Sequence, residues 1–408
     1  MRNAPRLKEE LKLKVYADNA ATTMISQTAI DTMSICIKDI YGNPSSLHTT
    51  GQRAAEALAC ARHTVAVCLG ARDSDIYFTS GGSESDNQAI RSAALYGKRK
   101  NKTHIISTKF EHHAVLHTLE KLEREGFEVT YLDVHEDGII SLSELESAIR
   151  DDTALVTVMY ANNEIGTIEP IDEIGEICAR HKVIFHTDAV QAVGHIPIDV
   201  KRSQIDMMSV SAHKFNGPKG IGVLYAKDRA VLSSLIEGGA QERGRRAGTE
   251  NVPAIVSMAA ALEEACGDMD ETGARLSALR DRLIDGLLKI PHSILNGSRS
   301  LRLPGNVNIC FEGIEGESLL LMLDMYGIEA SSGSACTSGS LDPSHVLLAI
   351  GRPHDIAHGS LRLTLDRYNT ADEIDYIIEK VPEVVAKLRD MSPVWDDLQK
   401  GRREYVIQ

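Results

Sequence analysis

Two charged residues follow neighbouring predicted strands in this sequence of 408 residues. Asp188 comes directly after the apolar run Val183–Thr187, and Lys214 follows the run Asp206–Ser211. The carboxyl ends of parallel strands share one edge of a sheet, which is where ligands bind in α/β proteins. A carboxylate there can hold a proton on a ring nitrogen, and a lysine amine can bind an aldehyde covalently. The alternative is a structural salt bridge between strand ends.

A glycine-rich turn predicts a phosphate site. The strand Asp75–Thr79 runs into the turn Ser80–Ser85, and Asp86–Tyr96 is helical in pattern. Backbone N–H groups at such a turn, together with the helix N-terminus, bind anions. The spacing matches neither an NTP-binding loop nor a dinucleotide fingerprint. One phosphate, one acid and one lysine together favour pyridoxal 5′-phosphate (PLP).

One of the seven cysteines stands apart from the others. Cys336 lies in a run of Ser, Gly, Ala and Thr from Ser331 to Gly339, whose small side chains predict a mobile loop and an accessible thiol. No C-x-x-C pair suggests zinc or a redox dithiol. Four other cysteines fall at apolar positions of helical patterns and are predicted to be buried in the core: Cys60, Cys68, Cys178 and Cys266.

The elements that position these residues alternate between strand and helix, which predicts an α/β fold with one large, mostly parallel sheet of seven strands. The predicted strands are Asp75–Thr79, His104–Thr108, Glu128–Asp133, Leu155–Tyr160, Val183–Thr187, Asp206–Ser211 and Gly220–Tyr225. Helices such as Ser141–Arg150 and Ile171–His181 are expected to cover the sheet. From about Asp268 longer charged helices predict a second, smaller domain: Gly273–Lys289, Glu315–Met325 and Thr370–Arg389.

Composition disfavours two classes of protein, those that bind nucleic acid and those that span a membrane. A formal net charge of −14 disfavours nucleic acid as a partner. No apolar run approaches the roughly 20 residues that a membrane-spanning helix needs. The first residues contain no apolar signal segment, so we expect a cytoplasmic protein.

Three motifs carry a resemblance to a known family. The stretches Asp188–Gln191, Ser211–Lys214 and Ser331–Gly339 resemble the class V aminotransferase family, and within it the cysteine desulfurases of the NifS/IscS group. The similarity extends from Tyr16 to Trp395. It implies the fold type I of PLP-dependent transferases, with a large PLP-binding domain at 15–265. A small α/β domain formed by 1–14 and 266–408 would carry the mobile catalytic cysteine loop, at about 329–345.

The resemblance also implies residue roles. Lys214 would bind the cofactor covalently, Asp188 would partner its ring nitrogen, and Gln191 would hydrogen-bond its ring hydroxyl. His112 would stack on the ring and take part in proton transfer, whereas His113 is expected to be a polar loop residue. The remaining roles are binding roles: Gly82, Ser83, Ser211 and His213 for the phosphate, Thr249 for the phosphate of the other subunit, and Asn163 with Arg362 for the substrate carboxylate.

The implied reaction removes sulfur from L-cysteine, leaving L-alanine and a persulfide on Cys336. The long cysteine loop resembles the branch that gives sulfur to an iron–sulfur scaffold protein of the IscU/NifU kind, with Trp395 as an apolar anchor for docking. A homodimer is implied. We expect no stable metal site, although a transient iron–sulfur contact at Cys336 stays open.

Two alternatives are kept. The chain could be another class V enzyme, an aminotransferase or a selenocysteine lyase. It could also be a non-catalytic iron–sulfur or metal-binding protein that uses Cys336 with His112 or His113, although no clustered ligands support this. Asp366 departs from the family pattern close to Arg362, and we expect its carboxylate to point away from the site.

Overall fold

The computed structural model describes residues 13–228, 231–332 and 343–407. Cys336 and most of the predicted loop at 329–345 lie outside these ranges. The strands are β1 Val15–Tyr16, β2 Ile76–Thr79, β3 His104–Thr108, β4 Glu128–Leu132, β5 Thr153–Thr157, β6 Ile184–Asp188, β7 Met207–Ser211, β8 Gly222–Ala226, β9 Ser293–Leu295, β10 Asn306–Phe311, β11 Ile328–Glu329 and β12 Ser360–Thr364.

The helices cover the sheets and connect them. They are α1 Gln27–Asp39, α2 Thr49–Cys68, α3 Gly82–Lys98, α4 His113–Arg124, α5 Leu142–Ala148, α6 Ile171–His181, α7 Gln241–Gly244, α8 Val252–Gly267, α9 Met269–Leu287, α10 Gly316–Met325, α11 His345–Ala349, α12 His354–Ala357, α13 Ala371–Met391 and α14 Pro393–Gln399.

The central sheet has seven strands in the order β2-β8-β7-β6-β5-β3-β4. Only β8 runs antiparallel to its neighbours, β2 and β7. The remaining pairs are parallel, so the sheet is mostly parallel, as predicted. Because β2 and β7 both run opposite to β8, the segments that follow β2, β3, β6 and β7 all emerge at one edge.

Alternate residues of each central strand face opposite helical layers. In β3, Ile105 packs in the core beside α3 and α4, whereas Ile106 packs in the larger core with α2, α6 and α8. Met207 and Met208 of β7 divide in the same way. A strand that is buried on both faces needs apolar residues at consecutive positions. This explains why the central strands appear in the sequence as continuous apolar runs.

A second hydrophobic core lies around the three-stranded antiparallel sheet β12-β10-β9 and the helices α9, α10 and α13. Val15 and Ala17 belong to this core, because β1 pairs in parallel with β11. Val346 and Leu347, late in the chain, pack instead in the larger core. The division into domains at 15–265 and 266–408 stays a prediction.

Several element bounds differ from those predicted. Strand β5 covers Thr153–Thr157, not Leu155–Tyr160, because the chain leaves the sheet before Val158. Helix α3 begins at Gly82, four residues earlier than predicted, which places Gly82 and Ser83 in its first turn. His113 is the first residue of α4 and not a loop residue. Among the described residues, no helix combines the length and apolar character needed to cross a membrane.

Candidate active site

A cavity of about 310 Å³ opens where the segments after β2, β3, β6 and β7 meet. Its walls come from residues that are far apart in the sequence, and they include most of those predicted to bind cofactor or substrate. The predicted residues that line it are Gly82, Ser83, His112, Asn163, Asp188, Gln191, Ser211, His213, Lys214 and Arg362. The fold therefore brings ten predicted site residues around one space.

Lys214 reaches the cavity from a single helical turn, Ala212–Lys214, that directly follows β7. Its Nζ donates to the backbone oxygens of Ala20 (2.6 Å) and Ala21 (2.8 Å). The same Ala20 oxygen accepts from Nε2 of Gln191 at 3.0 Å. The N-terminal segment thus holds the lysine and the glutamine on one side of the cavity.

Asp188 is buried at the end of β6, where its Oδ1 accepts from the backbone N–H of Val190 at 3.0 Å. Burial raises the pKa of Asp188 to about 6, although the Val190 hydrogen bond and the charge of Lys214 oppose this shift. A positive group placed against the carboxylate would oppose it further. The site therefore favours a cationic partner at Asp188.

A second acid, which sequence analysis did not identify, lines the cavity beside Asp188. Asp86 on α3 is 1% exposed, and its Oδ1 has no hydrogen-bond partner among the described residues. One side-chain oxygen or nitrogen from each of Asp86, His112 and Asp188 lies within 4.8 Å of the others. Burial and the charge of Asp188 raise the pKa of Asp86. The sequence signal that could have identified Asp86 is its position, on the buried face of a helix that begins at the predicted phosphate turn.

His112 lies immediately before α4 and caps it, because its Nδ1 accepts from the backbone N–H of Ala114 at 3.1 Å. An accepting Nδ1 leaves the proton of the neutral ring on Nε2. Burial, followed by the charge of Lys214, lowers the pKa of His112 to about 4. The imidazole is therefore neutral at physiological pH.

The first turn of α3 forms an anion cradle. Its N-cap, Gly81, has φ of +151°, a conformation that side chains rarely adopt, and no side chain caps the helix. A Cβ on Gly82 would lie 2.6 Å from Val190 Cγ2. Free N–H groups, the helix N-terminus and the neighbouring Ser211 provide the donors that a phosphate needs. His213, whose Nδ1 lies 3.1 Å from Thr22 Oγ1, lines the same cavity.

Arg362, on β12, is 3% exposed and is flanked in sequence by Leu361 and Leu363 of the second core. Its Nη2 donates to Oδ1 of Asp18 at 2.9 Å, and its Nη1 donates to the backbone oxygen of Asn163 at 3.2 Å. Its Nε has no partner among the described residues. Asp366 Oδ2 instead accepts from Asn216 at 2.6 Å, so Asp18 and not Asp366 pairs with the arginine.

Both described ends of the segment that carries Cys336 are attached to the site. Before it, Ser331 exchanges two backbone hydrogen bonds with Arg362 (2.7 and 3.2 Å). After it, Ser344 Oγ donates to a carboxylate oxygen of the buried Glu164 and caps α11. Burial raises the pKa of Glu164 to about 7. The cysteine segment therefore begins and ends beside the residues expected to hold the substrate.

Thr249 does not line the cavity and is exposed. Its predicted role required a second subunit. Cys336 lies outside the described residues.

Comparisons with known proteins agree on the family to which this chain is similar. Residues 15–377 match the family model for class-V aminotransferases. The chain is 55% identical over 380 residues to a cysteine desulfurase IscS of Methanosarcina thermophila, covering 93% of this chain and 94% of the relative. It is 53% identical to a cysteine desulfurase IscS of Clostridium botulinum, covering 96% of this chain and 99% of the relative.

Solved structures agree with this. A NifS-like protein superimposes with a TM-score of 0.87 at 38% identity, covering 92% of this chain and all of that one. SspA in complex with cysteine superimposes with a TM-score of 0.78 at 36% identity, covering 88% of this chain and all of that one. The chain belongs to the class-V aminotransferase family, in the group of the cysteine desulfurases.

Enzymes of this family depend on PLP, and the residues of the cavity fit that cofactor. Oδ1 of Asp86 accepts no hydrogen bond from the described residues, although His186 Nε2 lies 3.7 Å away. Together with the raised pKa of Asp188, this favours a cationic ring nitrogen beside the two acids. The α3 cradle has donors for a phosphate, and Lys214 supplies the amine.

Proposed function

We propose that this protein is a cysteine desulfurase that converts L-cysteine to L-alanine and leaves the sulfur as a persulfide on Cys336. The main support is that one cavity is lined by Lys214, Asp188, His112 and Arg362. Relatives that are 53–55% identical to this chain are named cysteine desulfurases.

PLP, when bound to Lys214, supplies the electron sink that makes the substrate Cα–H bond acidic. Asp188 would hold a proton at the ring nitrogen, and it shares its buried surroundings with Asp86. The amine of Lys214, which lines the cavity, would take the Cα proton. His112 is neutral and carries its ring proton on Nε2, so this N–H can donate a proton or a hydrogen bond within the cavity.

The substrate carboxylate has a prepared partner in Arg362. The ion pair with Asp18 and the contact with the Asn163 oxygen fix the guanidinium plane, while Nε is left to donate. A planar guanidinium binds a carboxylate with defined geometry. Asn163 lines the same side of the cavity and contributes to orientation. The fixed carboxylate directs the substrate sulfur for attack by the Cys336 thiolate, which breaks the carbon–sulfur bond.

The phosphate is assigned to Gly82, Ser83, Ser211 and His213, and the ring hydroxyl to Gln191. Burial and the charges of Lys214 and Lys219 lower the pKa of His213 to about 4, so this imidazole is neutral before a phosphate binds. Charge compensation for the phosphate then comes from the N-terminus of α3.

The first experiment is a visible absorption spectrum of the protein with PLP, before and after L-cysteine, with alanine and sulfide assayed in the same tube. Lys214→Ala should lose the cofactor band and all turnover. Cys336→Ala should keep a band that responds to cysteine but release no sulfide. Matched controls are Lys219→Ala, an exposed lysine five residues away, and Cys60→Ala, an exposed thiol.

Equal amounts of alanine and sulfide in the wild type, with both controls active, support the proposal. A protein that binds PLP and makes no sulfide would instead be an aminotransferase. Sulfur release that persists in Cys336→Ala, with preference for selenocysteine, would indicate a selenocysteine lyase. A protein that cannot bind PLP would refute the proposal from Lys214 onward.

We further propose a homodimer in which Thr249 reaches the phosphate of the second subunit. Thr249 is exposed in the single chain, and a patch of large apolar side chains is exposed on α1 and the loop after it: Ile35 (59%), Ile37 (59%), Tyr41 (77%) and Leu47 (92%). Such a patch is typical of a covered surface. Light scattering should give twice the chain mass, and Thr249→Ala should weaken PLP binding without dissociating the dimer.

The proposed sulfur acceptor is an iron–sulfur scaffold protein, and the proposed location is the cytoplasm, where thiols such as the six described free cysteines stay reduced. Residues 392–408 hold three acidic and three basic residues, so this docking segment is neutral. Trp395 packs on the Arg389 guanidinium at 4.0 Å, whereas Met391 and Val394 beside it are 67% and 40% exposed. Removal of 392–408 should abolish scaffold binding and leave sulfide release unchanged.

A further inference from the structure

Two cysteine thiols meet at a cavity away from the proposed active site. Cys68 is the last residue of α2 and Cys266 lies in the last turn of α8, and these two helices pack against each other. Each thiol shifts the pKa of the other, as neighbouring side chains do. Both thiols are free and partly exposed, and both line a cavity of about 520 Å³, which is larger than the proposed active-site cavity.

We propose that Cys68 and Cys266 are a peroxide-sensitive dithiol, which closes to an intramolecular disulfide when hydrogen peroxide enters this cavity. The mutual contact distinguishes these residues from the other described cysteines, for which the structure gives no thiol partner. Neither residue lines the proposed active-site cavity, so the inference does not depend on the proposed function.

The two thiols have different parts in the reaction. The contact with Cys68 lowers the pKa of Cys266, whereas the same contact together with burial raises the pKa of Cys68. Cys266 is therefore the attacking thiolate: its sulfur takes one peroxide oxygen, the O–O bond breaks, and water leaves after protonation. Cys68 then attacks the sulfenic sulfur, the S–O bond breaks and a second water leaves. Two thiols and one peroxide thus give one disulfide and two waters.

The charge of the cavity favours a small neutral oxidant. Asp268, Asp270 and Glu271 line it together with apolar residues such as Leu69 and Val193, and no lysine or arginine is among the lining residues. This negative potential repels an anionic disulfide such as oxidised glutathione. Hydrogen peroxide carries no charge and fits the cavity.

The cross-link would have a structural effect because of where α8 ends. Helix α9, which belongs to the second core, begins only three residues after Cys266. The disulfide would tie the end of α2 to this junction. The two cysteines are roughly 200 residues apart in sequence, so the bond would also restrict the unfolded chain strongly. The oxidised protein should therefore unfold at a higher temperature.

The test uses the full chain with PLP bound and carries Cys336→Ala, so that the proposed persulfide thiol cannot take part. Hydrogen peroxide is added, remaining thiols are alkylated, and peptides are mapped by mass spectrometry. We expect a linked peptide pair containing Cys68 and Cys266, a mass loss of about 2 Da for the two hydrogens removed, and a rise of the thermal midpoint by a few degrees. Cys68→Ser and Cys266→Ser should each abolish the link and the rise.

Cys60→Ser is the matched control, because Cys60 lies on the same helix, is more exposed and has no thiol partner in the structure. It should form the link as the parent does. A linked peptide involving Cys60, or sulfinic acid at Cys266 with no link, would overturn the proposal. Faster linkage with oxidised glutathione than with peroxide would overturn the assignment of a neutral oxidant.

Discussion

Replacement of Glu164 should change how stability depends on pH. Glu164 is 4% exposed, and burial raises the pKa of its carboxyl from 4.5 to about 7 against the opposing effects of Ser344 and Arg362. A carboxyl with a raised pKa stabilises the fold fully below its unfolded pKa and loses that contribution as pH rises through the folded value. The difference corresponds to about 3 kcal/mol, lost between pH 4.5 and 7.

Glu164→Gln imitates the protonated acid and cannot ionise. The variant should therefore gain stability relative to wild type as pH rises from 5 to 8, by up to about 3 kcal/mol. The assay is denaturant unfolding at several pH values, reported as variant minus wild type, so that contributions common to both proteins cancel. Two other buried acids whose pKa values are raised to about 8, Glu111 and Glu169, remain in both proteins.

Ser344→Ala provides the comparison. It removes a hydrogen bond that lowers the pKa of Glu164, so the loss of stability should move to higher pH instead of disappearing. A Glu164→Gln protein whose difference from wild type is constant between pH 5 and 8 would refute the reasoning. It would mean that Glu164 is already ionised at pH 5. The desolvation cost of the buried carboxylate would then be offset by an interaction that is not among the described contacts.

Three further predictions follow from the geometry of the site. Gly222→Ala should destabilise the protein by about 2 kcal/mol and weaken PLP binding, because its Cβ would lie 2.4 Å and 2.7 Å from backbone atoms of two neighbouring segments. The His112 ring should not titrate by NMR between pH 6 and 8, and Lys214→Ala should raise its pKa from about 4. Asp18→Asn should raise the KM for L-cysteine several-fold, because it removes the ion pair that fixes the guanidinium plane of Arg362.

Each of these has a control and a contradicting result. Gly267→Ala meets no atom within 4 Å and should leave stability and PLP binding unchanged. An imidazole of His112 that titrates near its ordinary pKa would contradict the burial argument. A lower KM in Asp18→Asn would mean that Asp18 competes with the substrate for Arg362 and does not position it.

Most of the fold could be predicted because each pattern is local. Central strands that are buried on both faces appear as apolar runs, and helices such as α6 have apolar residues at helical spacing. The exact ends were less predictable. Helix α3 begins at Gly82 because a glycine turn stops the strand, whereas propensity alone placed the start at Asp86.

Residues that act through distant partners could not be found in this way. Asp86, Asp18 and Glu164 became apparent only from their contacts with Asp188, Arg362 and Ser344, because those partners are between 102 and 344 positions away. Cys68 and Cys266 each fit the pattern of a core cysteine, and only the packing of α2 on α8 makes them a pair.

The sequence by itself determined the order of strands and helices, the chemical groups at the ends of β6 and β7, and the family resemblance. Each of these depends on residues that are close together in the chain. Tertiary structure alone decided which charges meet, which acids are buried and what their pKa values become. Burial and distance set those properties, and both depend on how segments far apart in sequence pack together.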